Sequence, residues 1–173
     1  MKMLVNTWLL SCWIFAAGAM AQGIEAYQLD AGDVISIHVY GEDDLSMEVM
    51  ITNSGKVDYP YLGTIEVAGI TTERLKQRIE EGLRGDYLIQ PKVAVNVVSY
   101  RQIFVNGEVG SPGGYPYQPG LTIDKAIALA GGFTQRAAKS SISLTTKGKV
   151  LNKVALSHAI APGDIIVVKA SFF

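Results

Sequence analysis

Two phrases in this chain occur twice, and that repetition limits what it can fold into. "AGDVISI" at residues 31–37 returns as "PGDIIVV" at 162–168, and "GITTER" at 69–74 returns as "GLTIDK" at 120–125. The first phrase is a glycine turn that launches an apolar strand. The second is a glycine, an apolar residue, a threonine able to cap a helix, and then an acid and a base. A strand start and a helix start, each present twice, predict two small modules that combine sheet and helix. The repeats lack the fixed period of a solenoid. The expected class is therefore α+β, with a seam near Ser99 to Gln102 and module bounds of 22–99 and 100–173.

Hydrophobic patterning fills in each module. Val34 to Tyr40, Ser46 to Thr52 and Lys56 to Tyr59 read as strands, the last two joined by the turn Asn53-Ser54-Gly55. Thr71 caps a helix in which Leu75, Ile79 and Leu83 form one apolar stripe, with Ile70 and Leu75 as a staple. Val93 to Val98 is expected to be a strand buried on much of its surface. The second module repeats the plan with a strand at Ile103 to Val105, a helix capped by Thr122 and stopped by Gly131-Gly132, and strands at 142–145 and 165–169.

The amino terminus reads as an export signal. Lys2 precedes a run from Met3 to Ala17 that is mostly apolar, and Ala19-Met20-Ala21 has the small-x-small form of a signal-peptidase site. The run is shorter than the roughly 20 residues of a spanning helix. Cleavage is expected after Ala21, making residues 1–21 the signal. Cys12, the one cysteine, follows Leu9-Leu10-Ser11, a loose lipoprotein box. The short, polar-interrupted stretch before it, and the apolar Trp13-Ile14-Phe15 after it, argue against acylation there. Removing the signal takes away Lys2 and no acid, so a net charge of −1 becomes −2. A near-neutral chain does not suit nucleic acid, which requires a clustered basic face.

Catalytic and metal chemistry find little support. His38 and His158 are far apart in sequence, and no His, Cys, Asp and Glu cluster has metal-ligand spacing. No G-x-S-x-G elbow is present. Glu42-Asp43-Asp44 is the densest run of carboxylates, and adjacent acids between strands read as a solvated turn. No catalytic residue, metal or cofactor is expected. Asp33 and Asp164 follow Gly32 and Gly163 in the repeated turns, where a carboxylate can accept from local backbone N–H groups.

The stretch "VNGEVGSPGGYPYQPG", residues 105–120, poses a separate question. It matches neither G-x-G-x-x-G nor a P-loop, and a helix begins only at Thr122, so its glycines are not placed to cradle phosphate. Pro112, Pro116 and Pro119 remove donors and exclude a central strand. Gly107, Gly110 and Gly113 read as turn residues. Tyr115 and Tyr117 are the candidates for contact with a sugar or with another subunit.

Taken in order, these phrases resemble a known family. "YQLDAGDVISIHVYGEDDLS", "NSGKVDYPYLGTIEVAGITTERL" and "YLIQPKVAVNV" are similar to the polysaccharide export domain. "IFVNGEVGSPGGYPYQPGLTIDKAIALAGGFTQRA" and "APGDIIVV" are similar to the soluble-ligand-binding β-grasp domain that follows it in Wza-type outer-membrane polysaccharide exporters. The resemblance implies a β-grasp-like second module and a homo-oligomeric periplasmic ring, associated with the outer membrane and passing capsular polysaccharide or exopolysaccharide without enzymatic action. It also implies an inner-membrane polysaccharide copolymerase as partner. Larger members carry a further β-grasp module and a carboxy-terminal amphipathic helix. This sequence stops at Phe173 without either, so a separate outer-membrane β-barrel is the expected exit. A monomeric periplasmic carbohydrate-binding module is the alternative.

Overall fold

A computed structural model describes residues 27–171. The signal peptide, its cleavage site and Cys12 lie outside the described residues.

The first module is built on strand β1 (Val34–Val39), where Ile35, Ile37 and Val39 point inward and His38 points out. This alternation is what a sheet with one covered face requires. A single 3-10 turn, Asp43–Leu45, leads into β2 (Met47–Met50), and β5 (Val93–Ser99) flanks β1 on its other side. The three strands are antiparallel in the order β2-β1-β5. Strands β3 (Lys56–Tyr59) and β4 (Gly63–Glu66) form a separate hairpin. Helix α1 (Thr72–Leu83) packs against β5 and buries Leu75, Ile79 and Leu83, each worth about 1.5–3 kcal/mol of burial. The Thr71 hydroxyl caps it, accepting from the Arg74 N–H at 3.2 Å.

The second module is a mixed five-stranded sheet with one helix. It comprises β6 (Ile103–Gly107), β7 (Gly113–Tyr115), α2 (Ile123–Leu129), β8 (Ala137–Thr146), β9 (Lys149–Asn152) and β10 (Ile165–Ala170). The strand order is β7-β6-β10-β8-β9, with β6 and β10 parallel and the other pairs antiparallel. Ile103, Val105, Ile142, Leu144, Ile166 and Val168 face Ile123, Ala126 and Ile127 of α2 in one core. The first module has its own core, centred on Ile35, Ile37 and Ile79. The α+β class and the two small modules are as the repeats required.

Three details differ from the sequence reading. β5 is an edge strand with α1 on one face only, so of its residues only Val93 is buried and Val98 is exposed. Part of the glycine-rich loop is a strand after all, because the edge position of β7 tolerates flanking prolines. Thr122 does not cap α2. Its hydroxyl donates to the Asp124 carboxylate, while the Ile123 and Asp124 N–H groups are taken by the carbonyls of His158 and Leu156. A loop far along the chain satisfies that helix end instead.

Candidate functional site at the module seam

The repeated turns are alike in structure, and they meet. In Asp30-Ala31-Gly32-Asp33 the Asp33 N–H donates to the Asp30 carbonyl (3.2 Å), and the Asp30 N–H donates to Asp33 Oδ2 (2.9 Å). In Ala161-Pro162-Gly163-Asp164 the Asp164 N–H donates to the Ala161 carbonyl (3.2 Å), and the Ala161 N–H donates to Asp164 Oδ2 (2.8 Å). Gly32 and Gly163 take φ of 90° and 85°, the left-handed conformation that the third position of such a turn demands. Both carboxylates are buried, and both turns deliver the chain into a core strand.

Arg101, the residue that joins the modules, runs between the two turns. A Cβ on Gly32 would lie 3.3 Å from Arg101 Cβ, and one on Gly163 would lie 2.8 Å from Arg101 Nε. The absence of side chains at both turns makes room for the arginine. Its backbone N–H donates to Asp33 Oδ1 (2.9 Å), and its guanidinium Nη1 donates to Asp33 Oδ2 (3.2 Å) and to the Tyr27 hydroxyl (2.9 Å). Nη2 lies 3.5 Å from Asp30 Oδ2. Tyr27 donates its own proton to Asp33 Oδ2 at 2.5 Å. Burial, followed by the hydrogen bond and charge of Asp33, pushes the Tyr27 phenol well above its ordinary range. Asp33 is fully buried and accepts four hydrogen bonds, so its charge is compensated where a lone carboxylate would be costly.

Aromatic contacts cross the same seam. Tyr27 meets Tyr100 edge to face at 4.9 Å, and Tyr100 meets Tyr117 at 5.4 Å. Beside this ladder opens a cleft of about 870 Å³, walled by Gln28, Asp30 and Thr71 on one side and by Lys147 and Pro162 on the other, with Arg101 between.

The structure places the remaining candidate residues as follows. Tyr117 is half-buried on Tyr100, and burial raises its phenol pKa. Tyr115 pairs with Ile103 across β7 and β6, and its hydroxyl donates to the Ser111 carbonyl. Both rings pack on the second core. Gly107 turns beneath β10, where a Cβ would fall 2.0 Å from the Val168 carbonyl oxygen. Gly110 lies against the end of α2: its N–H donates to the Gly132 carbonyl at 3.0 Å, and a Cβ there would reach the Gly131 oxygen at 2.9 Å. Gly131 and Gly132 end α2 in left-handed conformations, and Gly113 borders open space. The N–H groups of Glu108, Val109, Gly110 and Ser111 are thus committed to the protein's own carbonyls. Glu42, Asp43 and Asp44 are exposed on their 3-10 turn, and among the described residues no three His, Cys, Asp or Glu side chains converge.

Sequence reasoning passed over Arg101, Tyr27, Tyr100 and Lys147. The one available signal was an arginine at the boundary between two copies of a Gly-Asp turn.

Two family profiles divide the chain at the same seam. Residues 21–98 match the polysaccharide biosynthesis/export protein family, and residues 102–154 match the SLBB domain. Between them the two matches span most of the chain and make it similar to polysaccharide export proteins. Among curated relatives it is 28% identical over 154 residues to "Exopolysaccharide production protein ExoF" of Rhizobium meliloti, an alignment covering 78% of this chain and 36% of that protein. It is also 28% identical over 171 residues to "EPS I polysaccharide export outer membrane protein EpsA" of Ralstonia nicotianae, covering 82% of this chain and 45% of the relative. The Ralstonia solanacearum protein of the same name aligns equally. The chain spans less than half the length of these relatives.

Proposed function

We propose that this protein is a non-enzymatic component of a polysaccharide export assembly in the periplasm, associated with the outer membrane. The observation that carries the reading is the junction itself. An export domain and an SLBB domain are joined through a buried Asp33–Arg101 contact, so the pair acts as one rigid unit. Rigid two-module subunits suit a homo-oligomeric ring around a moving chain, because a ring transmits any hinge in its subunits to the channel it encloses. The polymer is a capsular polysaccharide or exopolysaccharide. The proposed partners are an inner-membrane polysaccharide copolymerase and a separate outer-membrane β-barrel. Among the described residues no helix is long and apolar enough to cross a membrane. Tyr115 and Tyr117, half-buried at the rim of the second module, are proposed to extend their packing to a neighbouring copy.

The test is a chromosomal deletion with plasmid complementation, read out as extracellular polysaccharide, together with the solution mass of the purified mature protein. Loss of secreted polymer with accumulation inside the envelope, and a mass of several subunits, are expected. Undiminished secretion in the deletion strain would overturn the export reading. A strict monomer that retains oligosaccharide would favour the carbohydrate-binding module in its place.

A further inference from the structure

The seam cleft has the size, the location and the unequal charge pairing of a ligand site. A volume of about 870 Å³ at a junction between modules lies in the range of small-molecule sites, roughly 300–1,000 Å³. The charges along its wall are not equivalent. Arg101 is spent on Asp33, Asp30 and the Tyr27 hydroxyl. Lys147, on the opposite lip, has no acidic partner within 4.0 Å among the described residues. It stands at the tip of the β8–β9 hairpin, where Lys147 and Gly148 have φ of 46° and 75°. Two successive positive φ values make the tight hairpin turn that projects its first residue outward, and a glycine or asparagine is the usual occupant. Here the position holds a lysine over the cleft.

The facing wall offers neutral and acidic groups suited to hydroxyls. The Thr71 hydroxyl accepts from Arg74 and so keeps its proton free to donate. The Gln28 amide is exposed to the cleft, and the Asp30 carboxylate has capacity beyond its contacts with Ala31 and Arg101. The half-buried Tyr27 ring adds an aromatic surface. One uncommitted cation opposite hydroxyl-binding groups and a tyrosine matches a sugar that bears a carboxylate.

We infer that the seam cleft seats a uronic acid residue of the exported glycan, with Lys147 taking its carboxylate and Thr71, Gln28 and Asp30 meeting its hydroxyls. The inference rests on the export reading and names the substrate class it would carry. A neutral polymer would leave Lys147 unused. Because the site draws residues from both modules, it is open only while the Asp33–Arg101 contact keeps the modules in register.

The experiment titrates the full secreted chain with trigalacturonate and with its methyl ester, which keeps the hydroxyls and removes the charges. Resonances of Thr71 and Arg101 should shift with trigalacturonate. Lys147→Ala should weaken binding about fivefold, the scale of one solvent-exposed charge pair, and Lys147→Arg should restore it. The methyl ester should bind the wild type no better than trigalacturonate binds the alanine variant. Equal affinity for acid and ester, or no loss in Lys147→Ala, would overturn the assignment, as would no binding of either probe. Any of these with export still lost in the deletion strain sinks the cleft alone. Undiminished export in that strain sinks the export reading, whatever the titration shows.

Discussion

The turns at 30–33 and 161–164 share a backbone, a left-handed glycine and a buried carboxylate, yet they are built into the molecule differently. Asp164 is held within its own turn and accepts from the Ala161 N–H. Asp33 does the same with Asp30 and then reaches outward, to Tyr27 and twice to Arg101. One carboxylate shapes a loop. The other shapes a loop and ties the two modules together through a residue 68 positions away. A duplicated local motif thus supplied the parts, and a single arginine at the boundary made one copy a joint.

That contrast predicts unequal responses to the same substitution, and this is the largest effect expected. Both oxygens of Asp33 receive donors, so in Asp33→Asn either orientation of the amide sets an NH₂ against an N–H or O–H. A donor facing a donor at a fully buried site, next to an arginine left with only the half-exposed Asp30 as counter-charge, should cost about 3 kcal/mol. In Asp164→Asn the amide oxygen can keep the Ala161 N–H, and the loss should stay near 1 kcal/mol. Urea unfolding of the two variants measures the difference. Equal losses would mean that the seam contributes nothing beyond the turn. Asp33→Asn should also separate the thermal transition into two steps, since its damage falls on the coupling between cores.

Much of this arrangement could be read beforehand, and the parts that could not share a cause. The stripe Leu75, Ile79, Leu83 and the alternation of Ile35, Ile37, Val39 are local patterns with their own period, and they became α1 and β1. The Gly-Asp turns were legible because a left-handed glycine and a following carboxylate act within four residues. β4, β7 and β9 were not read as strands. Gly63–Glu66 and Lys149–Asn152 carry little buried surface, and Gly113–Tyr115 sits among prolines. Such strands exist because a neighbour offers hydrogen bonds, and the neighbour is not written in the segment. The same holds for Arg101 and Lys147. Arg101 is marked only by its place between the two turns, and Lys147 reads as a solvated cation until the hairpin sets it beside the cleft.

The second effect in size concerns a buried hydroxyl in the core of the first module. Tyr59, 2% exposed, donates to the Leu45 carbonyl at 2.7 Å, and burial pushes its phenol up to about 12. A group whose folded-state pKa lies above its unfolded value of 10.0 holds its proton more tightly when folded. Its contribution is complete below pH 10 and is lost as the pH rises through 10 toward 12, at about 1.4 kcal/mol per pH unit. Tyr27 shifts in the same direction for the same first cause. Tyr59→Phe should therefore be less stable than the wild type at pH 8 by about 1 kcal/mol, the loss of one hydrogen bond. The gap should narrow or reverse by pH 11.5. Urea midpoints at pH 8, 10 and 11.5 follow it, and parallel curves for the two proteins would contradict the burial argument.

The smallest effect tests whether the two turns are equivalent as turns. Gly32→Ala and Gly163→Ala each place a Cβ on a backbone at φ near 90°, which costs roughly 1–2 kcal/mol for an L residue. Each new methyl also meets Arg101, but at different points. At Gly32 the contact is the Arg101 Cβ at 3.3 Å, fixed close to the backbone. At Gly163 it is Nε at 2.8 Å, closer but on the flexible part of the side chain. The tighter contact is relieved by a small rotation of the arginine, and the looser one cannot move. These corrections oppose each other, so the two variants should agree within about 0.5 kcal/mol, the spread of ordinary surface substitutions. A matched pair here, alongside the unequal pair Asp33→Asn and Asp164→Asn, would locate the difference between the turns in the carboxylate and its arginine. A much larger loss at Gly163 would instead mean that the path of the Arg101 side chain is rigid. The joint would then depend on the space between the turns as much as on their charge.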